Sequence, residues 1–286
     1  MLGFSILDVT FYILQMIDGK TKILGVFGNP VEHTKSPAIH NALLKNCGIN
    51  AVYLPLPVEK QNLKEAIAGF RAMGFAGANV TIPFKEAVIP FLDYVSPGAK
   101  ATGSVNTLYW EQGKLCGTST DGLGALRNLE AAGIEIKGKN IALLGSGGAA
   151  KALAYAFLAD GGAASLKVFT IEPENWNLQL ENTSLHDFND VKKYRDSIDL
   201  LCNATPLGMH PKIDKSPVEK SVLANSMAVF DIVYNPPKTR LLQEAEEAGC
   251  KILGGIGMLI YQGLESFKLW FPSNPNPKIV FEAMNV

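Results

Sequence analysis

Ile141-Ala142-Leu143-Leu144-Gly145-Ser146-Gly147-Gly148-Ala149-Ala150 is the stretch that decides the fold. Its four apolar residues read as a buried strand, the glycines as a tight turn, and the alanine-rich residues 149–159 as a helix. Strand, glycine turn and helix in that order form the setting that binds the pyrophosphate of a dinucleotide. The first glycine permits the turn and the second lets the backbone approach the anion. A small residue in the last place lets the helix pack on the strand, and the free N–H groups and dipole of the helix start attract negative charge. This assigns Gly145, Ser146, Gly147, Gly148 and Ala149 to a cofactor. The competing reading is a tight βα turn with no ligand.

Reading outward, residues 166–170 form the next strand, whose end selects the cofactor. An acidic residue there suits the ribose hydroxyls of NAD, and an Arg suits the extra phosphate of NADP. The chain reads Val168-Phe169-Thr170-Ile171-Glu172-Pro173, with no Arg, and Glu172 stands at about the spacing of a ribose-binding acid. An exposed loop carboxylate is the alternative. Residues 200–203 and 227–233 are further strands, and 240–248 is a helix closed by Gly249. Residues 170–199 are polar and show no clear period.

Upstream, residues 23–27 form a buried strand ended by Gly28-Asn29-Pro30. Ser36 caps a helix, Pro37 occupies its first turn, and Gly48 ends it. Strands at 51–54, 77–82 and 105–110, a pairing strand at 114–116, and helices at 63–73 and 122–132 follow. Strands alternating with helices predict an α/β fold built on parallel sheets with right-handed crossovers. Residues 257–270 form a long helix too apolar to hang free, and 277–284 form a last one.

Composition sets limits on partners and location. The 286 residues are 47% hydrophobic and 19% charged, enough for well-buried cores and, by length, two domains. With 26 basic and 27 acidic residues the net charge is −1, which leaves no surplus of cations for nucleic acid. No apolar run is long enough to span a bilayer. Cys47, Cys116, Cys202 and Cys250 are scattered, which fits reduced thiols in the cytoplasm and no metal site. Residues 1–15 lack the features of a secretory signal and read as an upstream extension, with Met16 as a natural start.

Four polar stretches mark the first half: His33-Thr34-Lys35-Ser36, Asn79-Val80-Thr81-Ile82-Pro83-Phe84-Lys85, Ser104-Val105-Asn106-Thr107 and Thr118-Ser119-Thr120-Asp121-Gly122. In α/β sheets ligands bind beyond the carboxyl ends of the strands, where these stretches could converge. Lys85 and Asp121 would make a proton-transfer pair. Thr34, Ser36, Asn79, Thr81 and Asn106 would suit a small polyhydroxylated carboxylate. Taken singly, Lys85 could be a solvated surface residue and Asp121 a helix cap.

Together these stretches resemble the shikimate dehydrogenase family. So do Asn203-Ala204-Thr205-Pro206-Leu207-Gly208-Met209, Asp231-Ile232-Val233-Tyr234-Asn235-Pro236 and Gly257-Met258-Leu259 with Gln262, all in the family's order from about Lys22 to Trp270. The resemblance implies two α/β domains. Residues 16–120 with 256–286 would bind substrate, with the C-terminal helices returning to the first domain, and 121–255 would form a Rossmann-like nucleotide domain. It implies reversible reduction of 3-dehydroshikimate to shikimate by a nicotinamide cofactor, in aromatic amino-acid biosynthesis. Lys85 and Asp121 would be catalytic. Thr34 and Ser36 would hold the carboxylate, Thr81, Asn106 and Gln262 the ring hydroxyls, and Tyr234 would also face substrate. Gly255 and Thr170 would join the glycine turn and Glu172 at the cofactor.

Three departures stand out. Thr34 replaces the usual Ser and adds a methyl to the carboxylate pocket, which bears on the balance between shikimate and quinate. Ser119 replaces the usual Asn. The family's Asn-Arg-Thr clamp for the NADP phosphate is missing at Thr170–Glu172. NADP is the family expectation, and NAD is a serious alternative. An NAD-preferring quinate/shikimate dehydrogenase is therefore a second reading, and a non-catalytic metabolite sensor on the same scaffold a third. A small-molecule substrate and a monomer or homodimer complete the expectations.

Overall fold

The computed structural model describes residues 17–285. The expectation about residues 1–15 lies outside them. Twelve strands fall into two six-stranded sheets among the described residues.

The first sheet has the order β2-β1-β3-β5-β6-β4. Its strands are β1 (Lys22–Gly28), β2 (Ala51–Pro57), β3 (Gly77–Val80), β4 (Tyr94–Val95), β5 (Thr107–Glu111) and β6 (Lys114–Thr118). Helices α1 (Ser36–Asn46) and α2 (Leu63–Ala72) connect β1 to β2 and β2 to β3, and both of those strands lie parallel to β1. Strand β5 runs antiparallel to β3, and the expected pairing strand is β6, antiparallel to β5. The β5–β6 pairing follows from the two-residue turn Gln112-Gly113, both with positive φ. A turn that short joins only antiparallel strands. The short helix α3 (Pro97–Thr102) had no helical period to reveal it, but Ser96 caps it by accepting from the Ala99 amide.

The second sheet is parallel throughout, in the order β12-β11-β10-β7-β8-β9. Its strands are β7 (Asn140–Leu144), β8 (Ser165–Thr170), β9 (Thr183–Asp187), β10 (Leu200–Asn203), β11 (Ala228–Asp231) and β12 (Lys251–Leu253). Strand order reverses between β7 and β10, so the crevice beyond their carboxyl ends is the switch point at which such sheets bind ligands. Strand β9 lies inside the segment without a period. It is an edge strand with most side chains exposed, so burial imposed no alternation on its sequence. Helix α4 (Asp121–Ala131) leads from the first sheet to the second, α5 (Gly148–Tyr155) follows β7 and continues as a π-helical turn (Ala156–Asp160), and α6 (Arg240–Glu247) precedes β12.

The C-terminal helices α7 (Ile256–Trp270) and α8 (Lys278–Ala283) return to the first sheet. Ile260, Leu264 and Phe267 of α7 and Val280 of α8 share one buried core with Leu24, Val26, Ile39 and Tyr53. Each such side chain contributes about 1.5–3 kcal/mol by leaving water, so the docking is strongly held. Helix α4 lies directly on α7. A Cβ at Gly124 would sit 2.7 Å from the Gln262 backbone nitrogen, so only glycine allows this approach. That approach carries Gln262 to the neighbourhood of Asp121.

Candidate active site

Lys85 is fixed by its neighbours in sequence. β3 ends at Val80, two residues earlier than its apolar pattern suggests, because Thr81 and Ile82 turn out of the sheet. The Phe84 side chain is fully buried and its amide donates to the Thr81 carbonyl. The Lys85 carbonyl accepts from the Val105 amide. So anchored, the Lys85 ammonium reaches Asp121, the first residue of α4, at 2.5 Å. Both groups are partly open to the cleft.

The other Asp121 oxygen accepts from the Asn106 side-chain amide at 2.8 Å. Asn106 lies just before β5, which starts two residues later than expected, and its backbone bonds Val80 on one side and Thr118 on the other, which holds its side chain beside Asp121. The same amide approaches Gln262 Oε1 (3.2 Å) and Thr120 Oγ1 (3.0 Å). Its Oδ1 accepts from the Thr120 amide (2.9 Å) and the Thr107 hydroxyl (2.8 Å). Beneath it, Asn79 donates to the Asn106 carbonyl and to Ser266, and its Oδ1 accepts from the Tyr53 hydroxyl at 2.7 Å. Thr107, Thr120, Asn79 and Ser266 are all buried. A buried polar network with its members satisfied holds one geometry, which here sets the position of Asp121. Ser266 escaped the sequence reading. It lies four residues past Gln262, on the same face of α7, and that spacing was its only signal.

A cleft of about 330 Å³ opens between the lobes above this network. Thr34, Ser36, Thr81, Lys85, Asn106, Asp121, Tyr234, Gly255 and Gln262 all line it, and so do Lys35, Asn79 and Met209. Ser36 is not the helix cap expected of it. Lys35 holds that position without a side-chain bond, and Ser36 begins the helix. Thr34 instead donates to the Ser36 hydroxyl at 3.2 Å, so the two hydroxyls sit side by side on the cleft wall. Asp121 likewise starts α4, with Thr120 in the cap position.

The glycine turn lies at the switch point. Gly145 has φ +107°, and a Cβ there would meet the Ala204 carbonyl at 3.1 Å, so both conformation and space require glycine. Around Gly147 the space is open. α5 begins at Gly148, with Ala149 next, and the first amides of a helix lack partners within it. This cradle fits a pyrophosphate. The Ser146 and Thr170 hydroxyls bond each other at 2.8 Å, and the Glu172 amide donates to Thr170 Oγ1. Thr170 is therefore buried and engaged in holding the turn. Glu172 is exposed at the end of β8, its carboxylate accepting from Asn175 at 2.6 Å.

Two buried titratable groups frame the site. Asp231, at the end of β11, accepts from Thr239 (2.6 Å), Asn203 (2.9 Å) and the Val233 amide (3.0 Å). Burial pushes its carboxyl above the usual range, while those three donors pull the other way. Asn203 also accepts from the Thr205 amide, so this cluster shapes the loop that carries Met209 to the cleft. His40 is buried under the network, stacked on Tyr53 at 4.3 Å and close to Trp270. Burial drives its pKa down to about 3, against a weaker opposite pull from Asn79.

The four cysteines are free thiols. Among the described residues no cluster could hold a metal ion and no helix is long and apolar enough to cross a membrane.

Comparison with known proteins matches two family models. Residues 26–108 fit the shikimate dehydrogenase substrate binding domain, and residues 255–284 fit the shikimate 5'-dehydrogenase C-terminal domain. Shikimate dehydrogenase (NADP(+)) of Pyrococcus furiosus is 46% identical over 257 residues, covering 89% of this chain and 92% of the relative. That of Methanocaldococcus jannaschii is 40% identical over 276 residues, covering 94% and 98%. The crystal structure of shikimate 5-dehydrogenase from Listeria monocytogenes in complex with shikimate and NAD superposes with a TM-score of 0.89 at 33% identity, covering 96% of this chain and 99% of that one. With identity of this level along nearly the whole chain, on the same two-lobed fold, the chain belongs to the shikimate dehydrogenase family.

Proposed function

We propose that this protein interconverts 3-dehydroshikimate and shikimate with a nicotinamide dinucleotide. The observation that carries the reading is the Lys85–Asp121 contact of 2.5 Å inside the inter-lobe cleft, backed by Asn106 and Gln262. A bound nicotinamide supplies the hydride donor or acceptor. Lys85 gives the proton to the alkoxide oxygen as the ketone is reduced, and takes it back in the reverse direction. Asp121 orients the Lys85 ammonium and accepts from a substrate hydroxyl. Thr34 and Ser36 bind the carboxylate, with Tyr234 facing it. Thr81, Asn106 and Gln262 hold ring hydroxyls. The substrate lobe is taken as residues 16–120 with 256–286, and the nucleotide lobe as 121–255. Four unpaired thiols suit a cytoplasmic setting.

Gly145, Ser146, Gly147, Gly148 and Ala149 would cradle the pyrophosphate, Thr170 would support them from below, and Gly255 would border the nicotinamide end. The relatives' names support NADP as the cofactor. Glu172, with no Arg beside it, favours NAD, since a carboxylate at the end of β8 suits ribose hydroxyls and opposes a phosphate. Purified protein given shikimate and either dinucleotide should gain absorbance at the reduced-nicotinamide wavelength. No gain with either one refutes the function, and the ratio of kcat/KM for the two cofactors settles the preference.

A further inference from the structure

We propose that Lys35 is the counter-charge for the substrate carboxylate, held ready across the cleft by the ring of Tyr234. The inference rests on the reading of the cleft as a shikimate site. Among the described residues lining the cleft, the ionised side chains are Lys35, Lys85 and Asp121. Lys85 and Asp121 neutralise each other at 2.5 Å. Thr34 and Ser36 offer only neutral hydroxyls, and a carboxylate moved from water onto hydroxyls alone carries an unbalanced charge. Lys35 stands between those two hydroxyls in the chain and lines the same wall. Its ammonium has no carboxylate partner among the described residues. It lies 5.8 Å from the centre of the Tyr234 ring, within the range of a cation–π contact. Tyr234 follows β11 of the second sheet, while Lys35 precedes α1 of the first. The contact therefore bridges the two lobes and holds a flexible cation at the place where a carboxylate on Thr34 and Ser36 would need it.

The test compares wild type, Lys35→Met and Lys35→Arg on shikimate and on its uncharged methyl ester, with shikimate binding followed by calorimetry. A charge-assisted contact of this kind corresponds to roughly 10- to 100-fold in affinity. Lys35→Met should raise the shikimate Kd and KM by that factor, with a much smaller change in kcat. It should lower the acid-to-ester ratio of kcat/KM about tenfold and flatten the salt dependence of KM. Lys35→Arg should restore most of the ratio. A Lys35→Met KM within twofold of wild type, or equal losses on acid and ester, overturns the proposal. A wild type that binds shikimate without oxidising it refutes the enzymatic reading instead, and the Kd values then judge Lys35 alone. A wild type that does not bind shikimate overturns both.

Discussion

His40 should make the protein acid-labile through the floor of its own site. In the folded chain its pKa is about 3, against 6.5 for a free imidazole. A histidine lowered in this way stabilises the fold fully above the unfolded value, and that stability drains away as pH falls from 6.5 toward 3. At about pH 7 the unfolded imidazole is mostly neutral. At about pH 5 it is protonated while the folded one is not, which costs roughly 2 kcal/mol at about 1.4 kcal/mol per pH unit. The ring contacts of His40 are aromatic (Tyr53, Phe267 and Trp270), and neither ring nitrogen has a hydrogen-bond partner among the described residues. Only the weaker pull of Asn79 favours an imidazolium, and burial outweighs it. His40→Phe keeps the stacking and removes the titration. Urea unfolding of both proteins at the two pH values isolates the effect, because shifts at Asp231 and elsewhere are common to both. Wild type should lose about 2 kcal/mol more than His40→Phe between them. Equal losses would refute the assignment of a neutral, desolvated imidazole.

Lys85→Ala should lower kcat by ~10²–10⁴ while circular dichroism stays unchanged, and an unaltered turnover would remove Lys85 from the chemistry. Glu172→Gln should move the ratio of kcat/KM toward NADP by roughly fivefold, the screened repulsion between one carboxylate and a nearby phosphate, measured by parallel assays with the two cofactors. Gly124→Ala should destabilise by about 1–3 kcal/mol in chemical denaturation, because its methyl meets the α7 backbone at 2.7 Å and helices cannot yield as a side chain can. Ser266→Ala should leave the fold intact and lower kcat several-fold by freeing Asn79 and Thr107, and a wild-type kcat would show that the floor does not position Asp121.

Local pattern carried most of the fold. The run Ile141–Leu144 into Gly145 announced its strand and turn because burial on both faces leaves no polar residue in such a strand. Lys85 and Asp121 carried no comparable local signal. Read singly, each had an ordinary alternative, and only the ordered set of motifs brought them together. Strand β9 stayed hidden because an exposed edge needs no alternation. The pairing of β5 with β6 was legible because the connection at Gln112-Gly113 is too short for a crossover, whereas the antiparallel β3–β5 contact, across 26 intervening residues, carried no local signal. Lys35 received no role from its place in His33-Thr34-Lys35-Ser36, since its position opposite Tyr234 depends on how the lobes face each other.

That dependence explains why the site sits where it does. The Lys85–Asp121 pair is built on the turn after β3 and the start of α4, while the glycine turn proposed for the pyrophosphate belongs to the second sheet. On the proposed mechanism, neither lobe alone would bring a hydride and a proton to the same carbon–oxygen bond. Two elements join the halves rigidly: α4, which begins with Asp121, and α7, which brings Gln262 and Ser266 under it. Their close packing at Gly124 fixes Asp121 on a shared girder instead of a loop. Gly124→Ala therefore tests the mechanism as well as stability. If it loosens the girder, kcat should fall more than the shikimate KM rises, because Thr34 and Ser36, the proposed carboxylate contacts, are carried at the start of α1 and not by α4. A rise in KM alone would mean that the position of Asp121 does not depend on the helix pair.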